Sequence, residues 1–374
     1  MPRTGDILVI GGGIAGLSAA AELSKRAKVI VLEAEDQIGF HSSGRSATML
    51  HYALGDRLVR ALTQASRSFF DAPPEGVSEI PLGRRMAVLV HAREDELGAL
   101  GQLEAEIARF APLERLDQRG VADLCPLLRV GEGGAVAGIV DRDGLRLDPH
   151  ALLQGFLGTV RRNGGEIVTG ARVAEIERGW TVASESGERY SAPILVNAAG
   201  AWADAVAGLA EIAPIGLRPL RRTIITFDAA PGTDLERLPF TKTVGDALYF
   251  APESGRLFAS PMDEVPSEPC DAQPDEFEVA LAAHRMEERT MVQVRSIHSR
   301  WAGLRTFAPD RHPVVGFTPG VEGFFWLAGQ GGFGLQTSPA MARIAASLIF
   351  GKPWPVPGVS ARELSPARFL GQAA

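Results

Sequence analysis

A glycine-rich turn between an apolar strand and a helix, close to the start of the chain, restricts its fold more than any other feature. The residues DILVI run directly into Gly11, Gly13 and Gly16 at the spacing G-x-G-x-x-G, and a helix that begins near Ile14 and Ala15 follows. The first glycine permits a tight turn, the second lets the backbone approach a pyrophosphate, and the third lets the helix pack on the strand. The order of elements therefore predicts a Rossmann-like α/β unit whose helix N-terminus faces phosphate groups.

An acidic residue after the second predicted strand supports a dinucleotide ligand. Residues 28–32 (KVIVL) predict that strand, and Glu33 follows it. An acid about 20 residues after the glycines suits a ribose hydroxyl rather than a 2′-phosphate. A glycine-rich turn without a ligand would explain neither Glu33 nor the order of the elements.

A polar segment after Glu33 favours FAD over NAD. An NAD-binding fold normally continues here to its next strand, whereas residues 39–47 (GFHSSGRSA) predict the start of another helix. A second anion-binding loop suits a longer ligand whose pyrophosphate contacts two loops. Taken alone, the segment would be better explained as an ordinary serine-rich turn that caps a helix.

A second glycine-rich block near the other end of the chain supports the same cofactor. Residues 324–328 (FFWLA) predict a strand, GQGGFGLQT follows, and an amphipathic helix extends to about Phe350. Ser338-Pro339 is an alternative start of that helix. The positive end of a helix on such permissive backbone can lie against a flavin ring and would favour the anionic reduced flavin.

Composition and charge disfavour several other classes of protein. The chain has 374 residues, which predicts about two domains at about 150 residues each. The net charge is −7 and no basic patch indicates nucleic-acid binding. Cys125 and Cys270 have no spacing typical of a metal site or a disulfide framework. No apolar run is long enough for a transmembrane helix, and no signal peptide is evident, so we expect a cytoplasmic protein, with peripheral membrane contact left open.

The positions of the cofactor blocks predict two interleaved domains. We expect an FAD-binding α/β domain and a β-rich α+β substrate-binding domain. The first would comprise residues 1–80, 145–215 and 300–374, and the second residues 81–144 and 216–299. Among the other elements we expect a helix near 58–70, a strand at 86–90, a helix from Pro149 to about Arg162 and a strand at 194–197.

With these blocks in view, the chain resembles the D-amino-acid oxidase superfamily of FAD enzymes over nearly its whole length. Within it the chain is similar above all to bacterial D-arginine dehydrogenases. The resemblance implies oxidative deamination of a D-amino acid: a hydride passes from Cα to flavin N5, and the imino acid hydrolyses to a 2-oxo acid and ammonia. The blocks that carry it are residues 6–16, 31–47, 196–202 (VNAAGAW), 301–305 (WAGLR) and 324–338.

The resemblance also implies roles for individual residues. Arg222 and Arg305 would hold the substrate carboxylate, which a guanidinium matches bidentately, and Tyr249 and Gln336 would assist. Because neither cysteine lies in the flavin-contacting segments, we expect non-covalent FAD. The implied FAD contacts are Gly11, Gly13, Ile14, Ala15, Gly16, Glu33, Ser42, Ser43, Gly44, Arg45, Ser46, Ala199, Gly200, Trp202, Gly303, Gly331, Gly332, Phe333, Gly334 and Gln336.

The segments that match the side-chain pocket depart from the D-arginine dehydrogenases. Arg85, or a neighbour, takes the place of a glutamate that pairs with the substrate guanidinium. Leu54 and Met49 replace a tyrosine and a histidine, while His51 and Tyr52 add polar groups. A cation cannot pair with a cationic side chain, so we expect acidic, neutral or hydrophobic D-amino acids rather than D-arginine. Arg85 pointing to solvent is the alternative.

Other functions remain open from the sequence alone. A sarcosine- or glycine-oxidase-like amine oxidase and an FAD-dependent 2-hydroxy-acid dehydrogenase would need a similar site, and a non-catalytic flavin sensor would not need the arginines. The electron acceptor, a quinone or oxygen, is not identified by these residues. An NADPH-using monooxygenase is disfavoured because the chain has one cradle of the N-terminal type.

Overall fold

Strands from the beginning, middle and end of the chain pair in one six-stranded sheet. The computed structural model describes residues 1–370, and in it five neighbouring strands run parallel while the sixth pairs antiparallel. The turns that follow residues 10, 32, 197 and 328 therefore meet at one edge. From one side to the other the strands are Glu166–Val168, Val29–Leu32, Ile7–Ile10, Ile194–Asn197, Phe324–Ala328 and Val314–Phe317.

Helices cover this sheet because its central strands are apolar on both faces. Ile7–Ile10, Val29–Leu32 and Phe324–Ala328 are buried throughout, as is typical of parallel strands. The first helix packs against the fifth and the eighth. The helices are α1 (Ile14–Leu23), α2 (Arg57–Asp71), α3 (Leu97–Ile107), α4 (Gln118–Leu124), α5 (Pro149–Arg162), α6 (Ala203–Leu209), α7 (Glu276–Arg289), α8 (Gly334–Ile349), α9 (Ala361–Leu364) and α10 (Ala367–Leu370).

A second, nine-stranded sheet carries the arginines singled out by the sequence. Arg218–Phe227 and Ser299–Phe307 pair antiparallel over nine residues, with Arg222 opposite Gly303 and Leu220 opposite Arg305. The other strands are Val88–Ala92, Glu114–Asp117, Ala137–Asp141, Phe240–Thr243, Tyr249–Glu253, Arg256–Ser260 and Val265–Pro266.

Two smaller sheets complete the fold. A four-stranded sheet contains Arg3–Thr4, Arg189–Ser191, Thr181–Ser184 and Val173–Glu177, and a three-stranded sheet contains Met49–Leu50, Leu145–Leu147 and Gly83–Arg85. The six-stranded sheet takes all its strands from the segments assigned to FAD. The nine-stranded sheet takes all but Ser299–Phe307 from the segments assigned to the substrate. The domain boundaries stay a prediction, and residues 371–374 of the last segment lie outside the described chain.

Several predicted elements are confirmed, and two begin elsewhere. The strands 194–197 and 324–328 and the helix Pro149–Arg162 form as expected. The strand expected at 86–90 is Val88–Ala92, because Met86 N donates to Gly144 O at the turn between two sheets. Helix α8 begins at Gly334 and includes Pro339. Pro339 has no N–H for the Leu335 carbonyl, and the Ser338 hydroxyl donates to that oxygen at 3.0 Å instead.

Burial of His91 in the nine-stranded sheet makes folding sensitive to acid. Neither ring nitrogen has a partner among residues 1–370, and burial, followed by the charges of Arg289 and Arg93, lowers the pKa of His91 to about 3. In the unfolded chain His91 has its ordinary pKa of about 6.5, so it binds a proton at a pH at which the folded chain keeps it neutral. Stability contributed by this group is therefore complete above pH 6.5 and declines as the pH falls from there towards 3.

We expect His91→Leu to flatten this dependence. The slope of unfolding free energy against pH, measured by denaturant titration between pH 6.5 and 5, should fall by up to about 1.4 kcal/mol per pH unit. An unchanged slope in the variant would show that His91 does not titrate on unfolding.

Candidate active site

An elongated cavity of about 340 Å³ begins at the carboxyl edge of the six-stranded sheet. The buried Glu33 carboxylate lies there and accepts from Gly12 N at 2.7 Å and from Glu35 N at 2.9 Å. Burial raises the pKa of Glu33, and the two hydrogen bonds partly offset that rise. Since a carboxylate oxygen has two lone pairs, each can still accept from a ligand hydroxyl. The lining includes Gly11, Gly13, Glu33, Ser42, Ser43, Ala199, Gly200 and Trp202.

A second cavity, of about 70 Å³, continues from the first and shares Ser42 and Ser43 with it. These serines belong to a single turn of 3₁₀ helix, Ser42–Arg45, rather than to a longer helix. Ser43 Oγ accepts from Ile14 N at 2.9 Å, and Ser42 Oγ donates to Leu304 O at 2.6 Å. The turn thus links the start of α1 to the nine-stranded sheet. The lining includes Ile14, Arg45, Ser46, Gly303, Gly331, Gly332 and Gly334.

Several glycines at or beside these cavities lie close to neighbouring atoms. A Cβ atom on Gly332 would lie 2.8 Å from Cζ of Arg305, and one on Gly13 would lie 3.3 Å from Ser43 Oγ. A Cβ atom on Gly16 would lie 1.9 Å from Gly11 O, so α1 packs closely on the turn only because Gly16 has none. An acid at one end, a helix start in the middle and a glycine-lined space at the other end fit a dinucleotide with a flat ring system.

A small cavity of about 20 Å³ adjoins the glycine-lined end. Tyr249 and Arg305 line both spaces. A wider cavity of about 620 Å³ shares Leu54, Met262 and Arg305 with the small one, and it is bordered by exposed residues such as Arg311. The lining of the small cavity is Ser46, Ala47, Thr48, Met49, His51, Leu54, Phe240, Lys242, Tyr249, Met262, Arg305, Gly332, Leu335 and Gln336.

Three hydrogen-bond donors without partners converge where the cavities meet. Arg222 Nη1 and the Tyr249 hydroxyl are buried and have no partner within the described chain. The Arg305 guanidinium makes no hydrogen bond or ion pair to any residue in 1–370. All three side chains line the second cavity. Because a buried donor without an acceptor is unfavourable, this corner is built to receive an oxygen-rich anion.

The strand register places the two arginines together. Arg222 lies opposite Gly303, so Arg305, two residues further along that strand, is its diagonal neighbour on the same face. Burial, followed by the charge of Arg222, lowers the pKa of Arg305 to about 10, which leaves it protonated at neutral pH. Arg222 Nε donates to Asp263 O at 2.6 Å, and this bond fixes its direction. The corner therefore holds two positive charges.

The structure places Arg85 outside these cavities. Its side chain is 61% exposed and pairs with Asp143. The pairing of Arg85 with Leu145 in the three-stranded sheet positions it beside that surface acid. Tyr52 is buried against Phe110 and also lines none of the cavities. Besides Arg305, the cation that lines the small cavity is Lys242.

The remaining specificity and cofactor residues divide among the cavities. Met49, His51, Leu54 and Gln336 line the small cavity. Ala15 and Gly16 lie in the first turn of α1 and line none, so their contribution is to packing. Gly44 lines a neighbouring surface cavity and Phe333 lines the wider one.

Some residues of the site carry no clear signal in the sequence. Glu35 accepts a hydrogen bond from Arg172 at 2.9 Å, and its carboxylate lies 3.1 Å from His41 Nε2. The His41 ring packs against Trp202, and these four residues line the first cavity. Arg172 reaches Glu35 because the strand Glu166–Val168 pairs with Val29–Leu32. Only the tertiary structure shows that pairing. For Lys242, which the sequence analysis did not single out, the one available signal is a lysine within a buried strand.

A family model described as FAD dependent oxidoreductase (DAO) matches residues 6–348. The chain belongs to this DAO family. FAD, the cofactor of this family, is a dinucleotide, and the joined cavities have the lining that such a ligand requires.

Known proteins similar to this DAO-family chain share its fold at low sequence identity. It is 23% identical to the hydrogen cyanide synthase subunit HcnC of Pseudomonas aeruginosa over 90% of each chain. The L-proline dehydrogenase from P. horikoshii superposes with a TM-score of 0.84 at 22% identity, covering 99% of this chain and 98% of that one. The glycine oxidase from Geobacillus kaustophilus superposes with a TM-score of 0.81 at 20% identity, covering 94% and 96%.

Two structural features are absent from residues 1–370. No helix in that range is long and apolar enough to cross a membrane. The same residues contain no group of three or more His, Cys, Asp and Glu side chains arranged to hold a metal ion.

We expect Gly16→Ala to weaken FAD binding by about tenfold or more. The new Cβ would overlap Gly11 O and force α1 away from the turn that holds the pyrophosphate. The dissociation constant is measured by titrating the apoprotein with FAD and following flavin fluorescence.

The matched control is Gly98→Ala in α3, where a Cβ meets nothing within 4 Å. It should bind FAD like the wild type and gain roughly 0.4–1 kcal/mol in stability. Equal FAD affinity in both variants would contradict the assignment of the glycine-rich turn at residues 11–16 to FAD binding.

Proposed function

We propose that this protein catalyses FAD-dependent oxidative deamination of small D-amino acids, with a 2-oxo acid and ammonia as final products. The observation that carries the proposal is the convergence of Arg222 Nη1, the Arg305 guanidinium and the Tyr249 hydroxyl, all without partners, on one cavity. A substrate α-carboxylate supplies the acceptors that these three donors lack.

The arginine pair would orient the substrate as well as bind it. Guanidinium groups engage a carboxylate through paired, charge-assisted hydrogen bonds, which restrict rotation of the bound group. Holding the carboxylate in one orientation fixes the direction of Cα, and such positioning can supply much of a rate acceleration. When bound, FAD supplies the acceptor for the hydride that leaves Cα.

Gln336 is placed to contact the substrate amine. Its side chain is buried, Nε2 donates to Thr63 Oγ1 at 2.8 Å, and Oε1 accepts from His51 N at 3.4 Å. The amide is therefore held in one orientation, and Oε1 keeps a lone pair for an amine N–H.

The amine proton would leave to water rather than to a side chain. His51, the one histidine in the lining of the small cavity, has its pKa lowered to about 3 by burial and by Lys242, so it is a weak base. The same lining contains no carboxylate. Because water would take the amine proton before hydride transfer, the side chains of the site would serve only to bind and orient the substrate.

The size of the small cavity and the sequence resemblance support the substrate class. About 20 Å³ admits only a short side chain. The D configuration rests on the resemblance of five sequence blocks to D-amino-acid oxidases. Non-covalent attachment of FAD is part of the proposal, because neither Cys125 nor Cys270 lines the joined cavities.

Oxidation of glycine or an N-methyl glycine is a second candidate, favoured by the same small volume. These substrates use the same carboxylate clamp and need no side-chain space. A fold similar to a glycine oxidase is compatible with it.

Anaerobic reduction of the bound flavin tests the proposal directly. We expect D-alanine and other short D-amino acids to bleach the flavin absorption band, while their L-enantiomers leave it unchanged. Bleaching by glycine or sarcosine without the D-amino acids would favour the second candidate. Failure of all of these compounds on FAD-loaded protein would refute both.

Arg305→Met tests the carboxylate clamp. Because the Arg305 guanidinium contacts no other described side chain by hydrogen bond, its loss should leave the fold and FAD content intact. We expect kcat/KM to fall by about 10²- to 10³-fold, as when one partner of a buried charge pair is removed. Arg85→Met, at an exposed ion pair, should retain wild-type kcat/KM. Comparable losses in both variants would contradict the clamp and the placement of Arg85.

A further inference from the structure

Lys242 is a buried cation at the small cavity. It lies in the strand Phe240–Thr243, whose four residues are all buried, and its side chain is 3% exposed. Its Nζ donates to Ala53 O at 3.2 Å and pairs with Asp246. A lysine ammonium has three N–H donors, so one donor is left after these two contacts.

Lys242 is also next to the group proposed to hold the α-carboxylate. Lys242 and Tyr249 are directly opposite each other in antiparallel strands. Opposite residues project from the same face with Cβ atoms about 5 Å apart. The ring of Tyr249 packs on Phe240 at 5.4 Å, which keeps this face ordered. Lys242 and Tyr249 therefore belong to the same wall of the small cavity.

His51 adds a neutral polar group to the same wall. It is fully buried, it lines the small cavity, and neither ring nitrogen has a partner in the part of the chain that the structure describes. Its ring packs on Phe240 with centroids 5.3 Å apart, and its backbone N–H donates to Gln336. A neutral imidazole has one donor and one acceptor, and leaving both unmet in the interior is unfavourable.

The charges of the cavity all have one sign. Lys242 and Arg305 are the charged residues in its lining, and the lining has no acid. Asp246, the partner of Lys242, is 64% exposed and borders the wider cavity instead. The acids Asp56 and Glu264 at that wider cavity are paired with His312 and Arg311. A cationic substrate side chain would find no counter-charge here, whereas a carboxylate would find one.

We propose that Lys242 and His51 form a recognition subsite for a side-chain carboxylate, so that the preferred substrates are short dicarboxylic D-amino acids. This inference rests on the proposed function, since the clamp of Arg222 and Arg305 must hold the α-carboxylate. One or two methylene groups between Cα and the second carboxylate match the small volume. In this subsite Lys242, rather than Arg85, is the cation that disfavours D-arginine.

The test compares two ligands that cannot be oxidised. Succinate and butyrate have the same chain length, and only succinate has a second carboxylate. Binding to the FAD-loaded protein at pH 8 is followed by the shift of the flavin absorption band. We expect succinate to bind about tenfold more tightly than butyrate or better. In Lys242→Met the two ligands should bind alike, with the butyrate affinity close to wild type.

Two further variants sharpen the result. Lys25→Met, which removes an exposed lysine paired with Glu22, should keep the wild-type preference. Asp246→Asn removes the competing acid from Lys242 and should preserve or increase the preference for succinate.

The outcomes separate this inference from the proposed function. Butyrate binding without tighter binding of succinate to the wild type overturns the subsite and leaves the clamp standing. A succinate preference that persists in Lys242→Met also overturns it. If neither ligand perturbs the flavin, the clamp and the subsite both fail.

Discussion

Two guanidinium groups with the same charge, those of the buried Arg222 and the half-buried Arg305, share one corner, and the proposed chemistry of the site depends on that placement. Each loses hydration, and each opposes the charge of the other, which is why the pKa of Arg305 falls to about 10. Asp263 and Glu264 lie behind Arg222 and offset part of this repulsion. The donors of Arg222 and Tyr249 that have no partner within the described chain are the reason for proposing that this corner binds a carboxylate.

The long antiparallel pair of Arg218–Phe227 and Ser299–Phe307 makes this corner possible. A shift of one residue in the register would move Arg222 and Arg305 to opposite faces of the sheet. Leu304 O in the strand Ser299–Phe307 accepts a hydrogen bond from Ser42, so this sheet is tied to the turn proposed to contact the flavin. The proposed substrate clamp and the proposed cofactor site are therefore aligned by backbone pairing rather than by flexible loops.

The small cavity shows how substrate preference can change within a constant clamp. Its wall is made by Phe240, Lys242 and Tyr249 on two neighbouring strands, together with His51 from a separate segment. The glycines of the cofactor turns and the two arginines belong to other segments of the chain than the residues of this wall. Under the proposed assignment, substitution at Lys242 or His51 would alter the side chain accepted while the α-carboxylate is bound by the same arginines.

The sequence by itself determined the cofactor half of this protein. Glycines spaced for one turn, Glu33 after an apolar strand and a second glycine block before α8 are local patterns whose meaning depends on residues close together in the chain. It also pointed, through family resemblance, to Arg222, Tyr249 and Arg305. Only the tertiary structure decided which of two strand cations, Arg85 or Lys242, lines the small cavity. Arg85 and Lys242 are both strand residues, but sheet pairing places the first beside Asp143 at the surface and the second beside Tyr249 in the interior, because a strand's register selects the face on which each side chain lies.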